Sequence, residues 1–254
     1  MIHVVTNTKG GVGKSAVAVI IGCVLAQKGK NFKIVELDDN NDSLVFENSE
    51  IFTQDNIKSL KLKDKEQALS DMLFDLMSDD SMDYIVDIGG GNDTFEVLDA
   101  LKSTNLEKTY YIPTTRIKKY LKNAVDTFEY INDEENTIFV LNQYANLENI
   151  KDEFLYFFGS KKMGVDPVDE RLPDSQYIPV PFSNYIQIAE DDEMSLFDLA
   201  SISMQMEEDD ARKIFFEKAN GSREHFHQMI VRYWNSQKAA QDLIEISQNF
   251  NNIQ

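Results

Sequence analysis

The sequence predicts an α/β fold with a mostly parallel sheet, helices on both faces and a helical C-terminal tail. Two observations predict this fold class. Short apolar segments alternate with segments of helical apolar spacing, and turn residues rich in glycine separate them. Such alternation is typical of strand–helix–strand units, in which the strands run parallel and the crossovers are right-handed.

The first strand–helix–strand unit has the clearest pattern. Residues 2–6 carry few charges and predict a buried strand, and a glycine-rich loop follows at once. Apolar residues recur at helical spacing over 17–25, and Gly29 supplies a stop signal for that helix. Residues 32–37 then predict a second strand, which ends in an acidic turn that begins at Asp38.

The same alternation continues to about residue 180. The elements predicted there are a helix face over 69–77, a strand at 84–88 that runs into Gly89-Gly90-Gly91, a strand at 109–112 closed by Pro113, an amphipathic helix over 117–131, and strands at 137–141 and 177–180. No internal repeat or low-complexity linker interrupts the pattern. We therefore expect one domain over 1–254, with 190–254 as a mainly helical C-terminal extension.

The charge balance bears on the class of partner. The chain has 25 Lys and Arg against 44 Asp and Glu, a net charge of −19, which repels phosphate backbones at long range. Direct DNA binding is therefore expected to be weak or absent. The single cysteine, Cys23, fits a reducing compartment, and no apolar segment is long enough for a membrane span. These features predict a cytoplasmic protein.

The composition changes from about Ala189 onward. Residues 190–210 carry nine acidic side chains and no basic one, whereas 211–238 carry six basic and two acidic. Apolar residues in that tail fall on one helical face, namely Phe226, Met229, Ile230, Tyr233 and Trp234. This pattern favours a helix packed on the sheet, and a partner-docking surface is the alternative.

The loop after the first strand has the composition of a phosphate-binding loop. It reads Lys9-Gly10-Gly11-Val12-Gly13-Lys14-Ser15, and it departs from the general G-x-x-x-x-G-K-S pattern because Thr8 stands at the first position. Glycines let backbone N–H groups turn inward as an anion nest, and the following helix adds its positive N-terminus. Lys14 would neutralise phosphates and the Ser15 hydroxyl would bind Mg²⁺.

This loop resembles the deviant Walker A motif of the ParA/MinD family, the dimeric ATPases that segregate plasmids and position the cell-division machinery. The similarity extends over roughly the first 200 residues and implies a P-loop NTPase fold that binds ATP and Mg²⁺. It assigns residues 9–16 (Lys9, Gly10, Gly11, Val12, Gly13, Lys14, Ser15 and Ala16), Asn142, Pro179 and Pro181 to the nucleotide, and Ser15, Asp38 and Asp87 to the metal.

The resemblance also implies how catalysis and assembly are linked. Lys9, Lys14 and Asp38 become the catalytic residues, with Asp38 orienting the attacking water. In the family the extra lysine reaches the partner's nucleotide, so Lys9 implies a homodimer that forms when ATP is bound. Several positions depart from the usual pattern: Ala16 stands where a second threonine is frequent, and Glu36, Asp39 and the triple glycine also differ. Slow hydrolysis is therefore expected.

Several functions remain compatible with these residues. The favoured one is a positioning ATPase for plasmid partition or conjugative plasmid maintenance, acting through a DNA-binding adaptor. Residues 86–95, with Lys14-Ser15-Ala16, look closer to the conjugation-associated TraL and StbB branch than to chromosomal partition proteins. A membrane-cycling ATPase of the MinD type is an alternative, but 239–254 contain no Lys or Arg, which disfavours stable membrane anchoring. A scaffold with little hydrolysis, or a metabolic enzyme such as a dethiobiotin synthetase, is also compatible with the loop.

Overall fold

A seven-stranded parallel sheet forms the centre of the computed structural model, which describes residues 1–37, 44, 46–79, 81–91 and 93–251. The strand order is β3-β2-β4-β1-β5-β6-β7. The strands are β1 Ile2–Val5, β2 Phe32–Leu37, β3 Ile57–Leu60, β4 Asp83–Ile88, β5 Lys108–Thr114, β6 Thr137–Tyr144 and β7 Tyr177–Pro181. β1 lies in the middle, so the loop after it opens near the carboxyl ends of β4 and β5.

Helices cover both faces of this sheet. They are α1 Lys14–Gln27, α2 Lys65–Ser78, α3 Asp93–Lys102, α4 Lys118–Ile131, α5 Ile150–Glu153, α6 Leu155–Phe158, α7 Asn184–Asp191, α8 Leu196–Met204, α9 Glu208–Lys218 and α10 Arg223–Asn251. The apolar residues of α2, α3 and α4 form one core with the sheet, and those of α1, α8 and α10 form a second core on the other face. The predicted fold class is thus confirmed.

Two details of the predicted strands are wrong. Pro113 does not close its strand, because β5 continues to Thr114 and Pro113 pairs with Val140 of β6. A proline near a strand end costs one ladder hydrogen bond only, and the Asn7 side chain donates to the Pro113 carbonyl at 2.8 Å. β3 was not predicted; it has only four residues and lies at the edge of the sheet, and so short a strand has a weak sequence pattern.

The C-terminal helices pack on the second face of the sheet. α10 has 29 residues and contacts α8, α9, α7, α1 and β7. Ile230 and Tyr233 are buried there, as the helical pattern predicted, whereas Trp234 remains 46% exposed. Among the described helices we find none whose length and hydropathy would allow it to cross a membrane.

A buried carboxylate fastens α8 to the segment between β2 and β3. Asp198, in the first turn of α8, accepts hydrogen bonds from the Ser49 hydroxyl at 2.6 Å and from the Glu50 N–H at 3.0 Å. It also accepts from Ser195, whose own hydroxyl accepts from the Asp198 N–H to complete a capping box. Ser49 and Glu50, in the described segment before β3, are therefore anchored to α8.

Candidate phosphate-binding site

The glycine-rich loop joins the end of β1 to the first turn of α1. Gly11 and Gly13 have φ angles of 77° and 90°, which glycine adopts without the penalty that a Cβ would bring. The Val17 N–H donates to the Gly13 carbonyl at 2.9 Å, which starts the helix directly behind the loop. The loop therefore wraps the N-terminus of α1, where unpaired N–H groups and the helix dipole favour an anion.

Lys14 lies within this loop with its side chain largely buried. It is 9% exposed, and its Nζ donates to the Lys9 carbonyl at 3.2 Å. From the β4 side, a Cβ added to Gly90 would lie 3.2 Å from the Lys14 Nζ and 3.0 Å from the Gly10 nitrogen. The segment after β4 thus packs closely on the loop, and its lack of side chains is what permits that approach.

A cleft of ≈ 270 Å³ opens between the loop and the end of β4. It is lined by Gly10, Gly11, Gly13, Lys14, Ser15, Ala16, Asp87, Gly89 and Gly90. A Cβ added to Gly10 or Gly11 would meet nothing within 4 Å, so these glycines border open space. A cationic side chain, a hydroxyl and a buried carboxylate around a backbone cradle fit a phosphate chain with its divalent cation.

Asp87 is a buried residue of the cleft lining. It is 3% exposed and sits on β4 opposite Val5 of β1, one residue before the strand ends. The structure thus brings Asp87 and Ser15 to one cleft. The third residue assigned to the metal, Asp38, lies outside the described residues, directly after β2.

Asn142 contacts the loop from the other side. Its side-chain nitrogen lies 3.4 Å from the Val12 carbonyl oxygen, and a Cβ added to Gly13 would lie 2.3 Å from it. The next residue, Gln143, has a φ of 64° and forms a bulge against β7. The bulge bends the end of β6 and keeps the carboxamide of Asn142 beside the loop.

Pro179 and Pro181 lie on β7, next to β6. Pro179 is buried and pairs with Leu141, and its carbonyl accepts from the Asn249 side chain of α10 at 3.0 Å. Pro181 is half-buried at the strand end, opposite Tyr144. Pro181 therefore lies at the partly exposed end of β7, whereas Pro179 is buried within the sheet.

Lys9 has a fixed backbone and a half-exposed side chain. Its N–H donates to the Asn7 side-chain oxygen at 2.9 Å, and its carbonyl accepts from Lys14. Its Nζ lies 5.7 Å from the ring centroid of Tyr120 on α4, within the range of a cation–π contact. The ammonium is thus held at the surface of the loop and outside the cleft lining.

Two residues that hold the loop in place were not predicted from the sequence. Asn7 is fully buried and bonds both Lys9 and Pro113, and Thr127 of α4 accepts from the Thr8 N–H at 3.3 Å. Neither residue belongs to a phosphate-loop motif. Asn7 and Pro113 are 106 positions apart and Thr8 and Thr127 are 119 apart, so spacing alone gives no signal for these two contacts, whereas Asn7 and Lys9 are only two positions apart.

Replacing Gly13 with alanine should destabilise the protein more than the same change at Gly29. Both glycines have positive φ, 90° and 67°, so both variants carry the backbone penalty of about 1–2 kcal/mol. Only at Gly13 does the new Cβ overlap Asn142, whereas at Gly29 it meets nothing within 4 Å. We expect urea unfolding to give a further loss of roughly 1–3 kcal/mol at Gly13. Equal losses would mean that Asn142 moves aside freely.

Comparison with known proteins agrees with this architecture. Residues 3–176 match the family described as the CobQ/CobB/MinD/ParA nucleotide binding domain. The MinD cell division protein of Aquifex aeolicus is 14% identical, with a TM-score of 0.52 over 99% of this chain and 96% of that chain, and its MinC:MinD complex gives the same values. A plasmid partition protein from Borrelia burgdorferi is 16% identical, with a TM-score of 0.40 over 76% of this chain and 95% of that chain.

At these identities the structural likeness speaks for the fold alone. No curated protein gives a significant match to the chain. The family match, however, covers more than half of the sequence and includes the whole loop from Lys9 to Ser15, the end of β4 and Asn142. The chain therefore belongs to the CobQ/CobB/MinD/ParA family of nucleotide-binding domains.

Proposed function

We propose that this protein is an ATP-dependent dimerising switch, a slow ATPase that binds ATP and Mg²⁺ in the cleft after β1. The observation that carries the proposal is the position of Lys14. Its largely buried ammonium lies in a glycine cradle at a helix N-terminus, in the same cleft as Ser15 and Asp87. That arrangement combines cationic, hydroxyl and carboxylate groups in the way that nucleoside triphosphates with Mg²⁺ require.

Each residue has a separate role in this proposal. The loop N–H groups and Lys14 hold the phosphates, Ser15 binds Mg²⁺ directly, and Asp87 binds it through water. Asn142 and Pro181 face the base, because they lie on the side of the loop opposite to Asp87 and β4. When ATP and Mg²⁺ are bound, they supply the phosphoryl group to be transferred and the charge that neutralises it.

Asp38 and Lys9 complete the proposed chemistry. Asp38 directly follows β2, a strand that pairs with β4, so its chain position supports a role next to Asp87. It orients the water that attacks the terminal phosphate. Lys9 extends from the loop surface toward a second subunit, whose phosphates desolvate its ammonium. Two nucleotides thus lie between two subunits in the ATP-bound homodimer.

For the biological task we propose the positioning of DNA cargo, in plasmid partition or conjugative plasmid maintenance, through a DNA-binding adaptor. The net charge of −19 supports an adaptor over direct DNA contact. Membrane cycling is the second candidate because MinD is among the similar structures.

Hydrolysis by an Asp38→Ala variant tests the enzymatic part. We expect the wild type to release phosphate from ATP slowly, and Asp38→Ala to bind ATP with unchanged affinity but to lose at least about tenfold in rate, since a general base typically contributes 10²–10⁴-fold. Asp39→Ala is the matched control and should retain the wild-type rate. Wild-type turnover in Asp38→Ala would remove Asp38 from the mechanism.

A further inference from the structure

A surface groove lies among the C-terminal helices, on the face of the sheet that α1 covers. Its volume is ≈ 990 Å³, and it is bounded by the end of α8, the first half of α9 and the middle of α10. The apolar part of its lining consists of Met204, Met206, Ile214, Tyr233, Ala240 and Ile244. None of the residues assigned to the nucleotide lies in it.

Two of these apolar side chains are unusually exposed. Met204, at the end of α8, is 47% exposed, and Ile244, on α10, is 45% exposed. Methionine side chains are flexible and adapt to differently shaped partners. Tyr233 forms the floor, fixed by its hydroxyl donating to the Met206 carbonyl at 2.9 Å. The floor is therefore rigid, while the rim consists of adaptable apolar groups open to solvent.

The dimensions of the groove match a short helix. Along α10 the lining runs from Tyr233 to Ile244, which corresponds to about 16 Å of helix axis, or three turns. An amphipathic helix of that length presents apolar residues at positions i, i+3, i+4 and i+7 along one side. These four apolar positions of the partner helix are enough to contact the apolar residues along the whole groove.

The charge of the rim limits which partner can bind. Glu207, Glu208 and Asp210 line the α9 side together with Lys213, so acidic groups outnumber basic ones there. Glu208 pairs with Arg212 at 2.5 Å and Asp210 with Lys213 at 3.4 Å, but all four side chains are exposed. Such surface pairs are worth about 1 kcal/mol or less, so an incoming cation can replace them. Nucleic acid and anionic lipid would be repelled here.

A second copy of this chain is also disfavoured. It carries the same net charge of −19, and a symmetric contact through the groove would bring two identical acidic rims together. We propose that the groove binds a basic amphipathic helix of a partner protein, with the apolar stripe between Met204 and Ile244 and Lys or Arg side chains against Glu207 and its neighbours. This site is separate from the nucleotide cleft.

Binding of a designed peptide to the full chain without nucleotide tests the proposal independently of ATP. The probe is a labelled peptide of about 14 residues, with leucines at helical spacing and lysines on both flanks. One comparison peptide replaces its lysines with glutamates, and another keeps its composition but scrambles the leucines. Fluorescence anisotropy should give saturable binding of the first peptide and at least about tenfold weaker binding of the other two.

Exposed residues allow protein variants that keep the fold. Ile244→Lys and Glu207→Lys should each lower the affinity for the first peptide by about tenfold or more. Ile117→Lys, at a 54% exposed position on another face, should leave that affinity unchanged. The proposal would be overturned if the scrambled peptide bound as tightly as the first peptide. It would also be overturned if neither groove variant weakened binding of the first peptide. Self-association of the wild type that Ile244→Lys abolishes would overturn it as well, because the groove would then be a contact between copies.

Discussion

Replacing Lys14 with alanine is expected to abolish ATP binding, with a loss of affinity of about a hundredfold or more. Lys14 is largely buried, and its ammonium is oriented by the Lys9 carbonyl beside the cleft. Hydrogen bonds to charged groups are worth roughly 1.5–3 kcal/mol each, and one ammonium can serve two phosphates, so the loss is large. Isothermal titration of ATP with Mg²⁺ measures it directly.

Two controls separate this effect from misfolding. The thermal melting curve of Lys14→Ala without nucleotide should remain cooperative, since the substitution leaves both apolar cores of the sheet intact. Lys9→Ala, a change of the other lysine of the same loop, should still bind ATP within about threefold, because its ammonium lies outside the cleft lining. If Lys14→Ala bound ATP with an affinity within about tenfold of the wild type, Lys14 would not have the assigned role in binding the phosphates.

Acid should destabilise the protein through His3. Burial lowers the pKa of His3 to about 4, opposed by the nearby Asp83 carboxylate and assisted by the N-terminal amino group, Lys30 and Lys28. The unfolded chain binds the proton at a pKa of about 6.5, so it holds more protons than the folded chain between these values. Stability from this residue is therefore present above a pH of about 6.5 and is lost as the pH falls toward about 4.

The difference between the pKa values of His3 in the folded and the unfolded chain corresponds to about 3 kcal/mol in the free energy of unfolding. His3 contacts the Tyr111 hydroxyl at 3.2 Å, and glutamine can keep that hydrogen bond without titrating. We expect His3→Gln to flatten the pH dependence between about 6.5 and 4 in urea unfolding. His227→Gln, at an exposed histidine, should leave the slope unchanged. An unchanged slope in His3→Gln would rule out His3 as the cause.

The sequence predicted most of the sheet because its strands are apolar and separated by strong turn signals. β1, β2, β4 and the strands after them agree with the predicted segments to within a few residues. The exceptions have clear causes. β3 is a four-residue edge strand in which only Ile57 and Leu60 are apolar, and Pro113 is a strand breaker that is nevertheless accommodated one residue before the end of β5.

Only those parts of the candidate site whose residues are close together in the sequence could be predicted. The loop, its lysines and the triple glycine follow from residue types and spacing within a few positions. The close approach of Gly90 to Lys14, the contact of Asn142 with Gly13, and the Asp198 anchor depend on how distant elements pack. Such contacts need the tertiary structure because no local pattern encodes a hydrogen bond across 149 positions.

The central claim, that ATP controls dimerisation through Lys9, is tested most directly by light scattering of the wild type and Lys9→Ala with ATP and Mg²⁺ or with ADP. We predict that the wild type is dimeric with ATP and monomeric with ADP, because the terminal phosphate carries much of the charge that Lys9 compensates. Lys9→Ala should stay monomeric although it binds ATP, and Lys218→Ala, at an exposed lysine of α9, should behave as the wild type. A monomer under all conditions, or a Lys9→Ala protein that dimerises normally, would contradict the account.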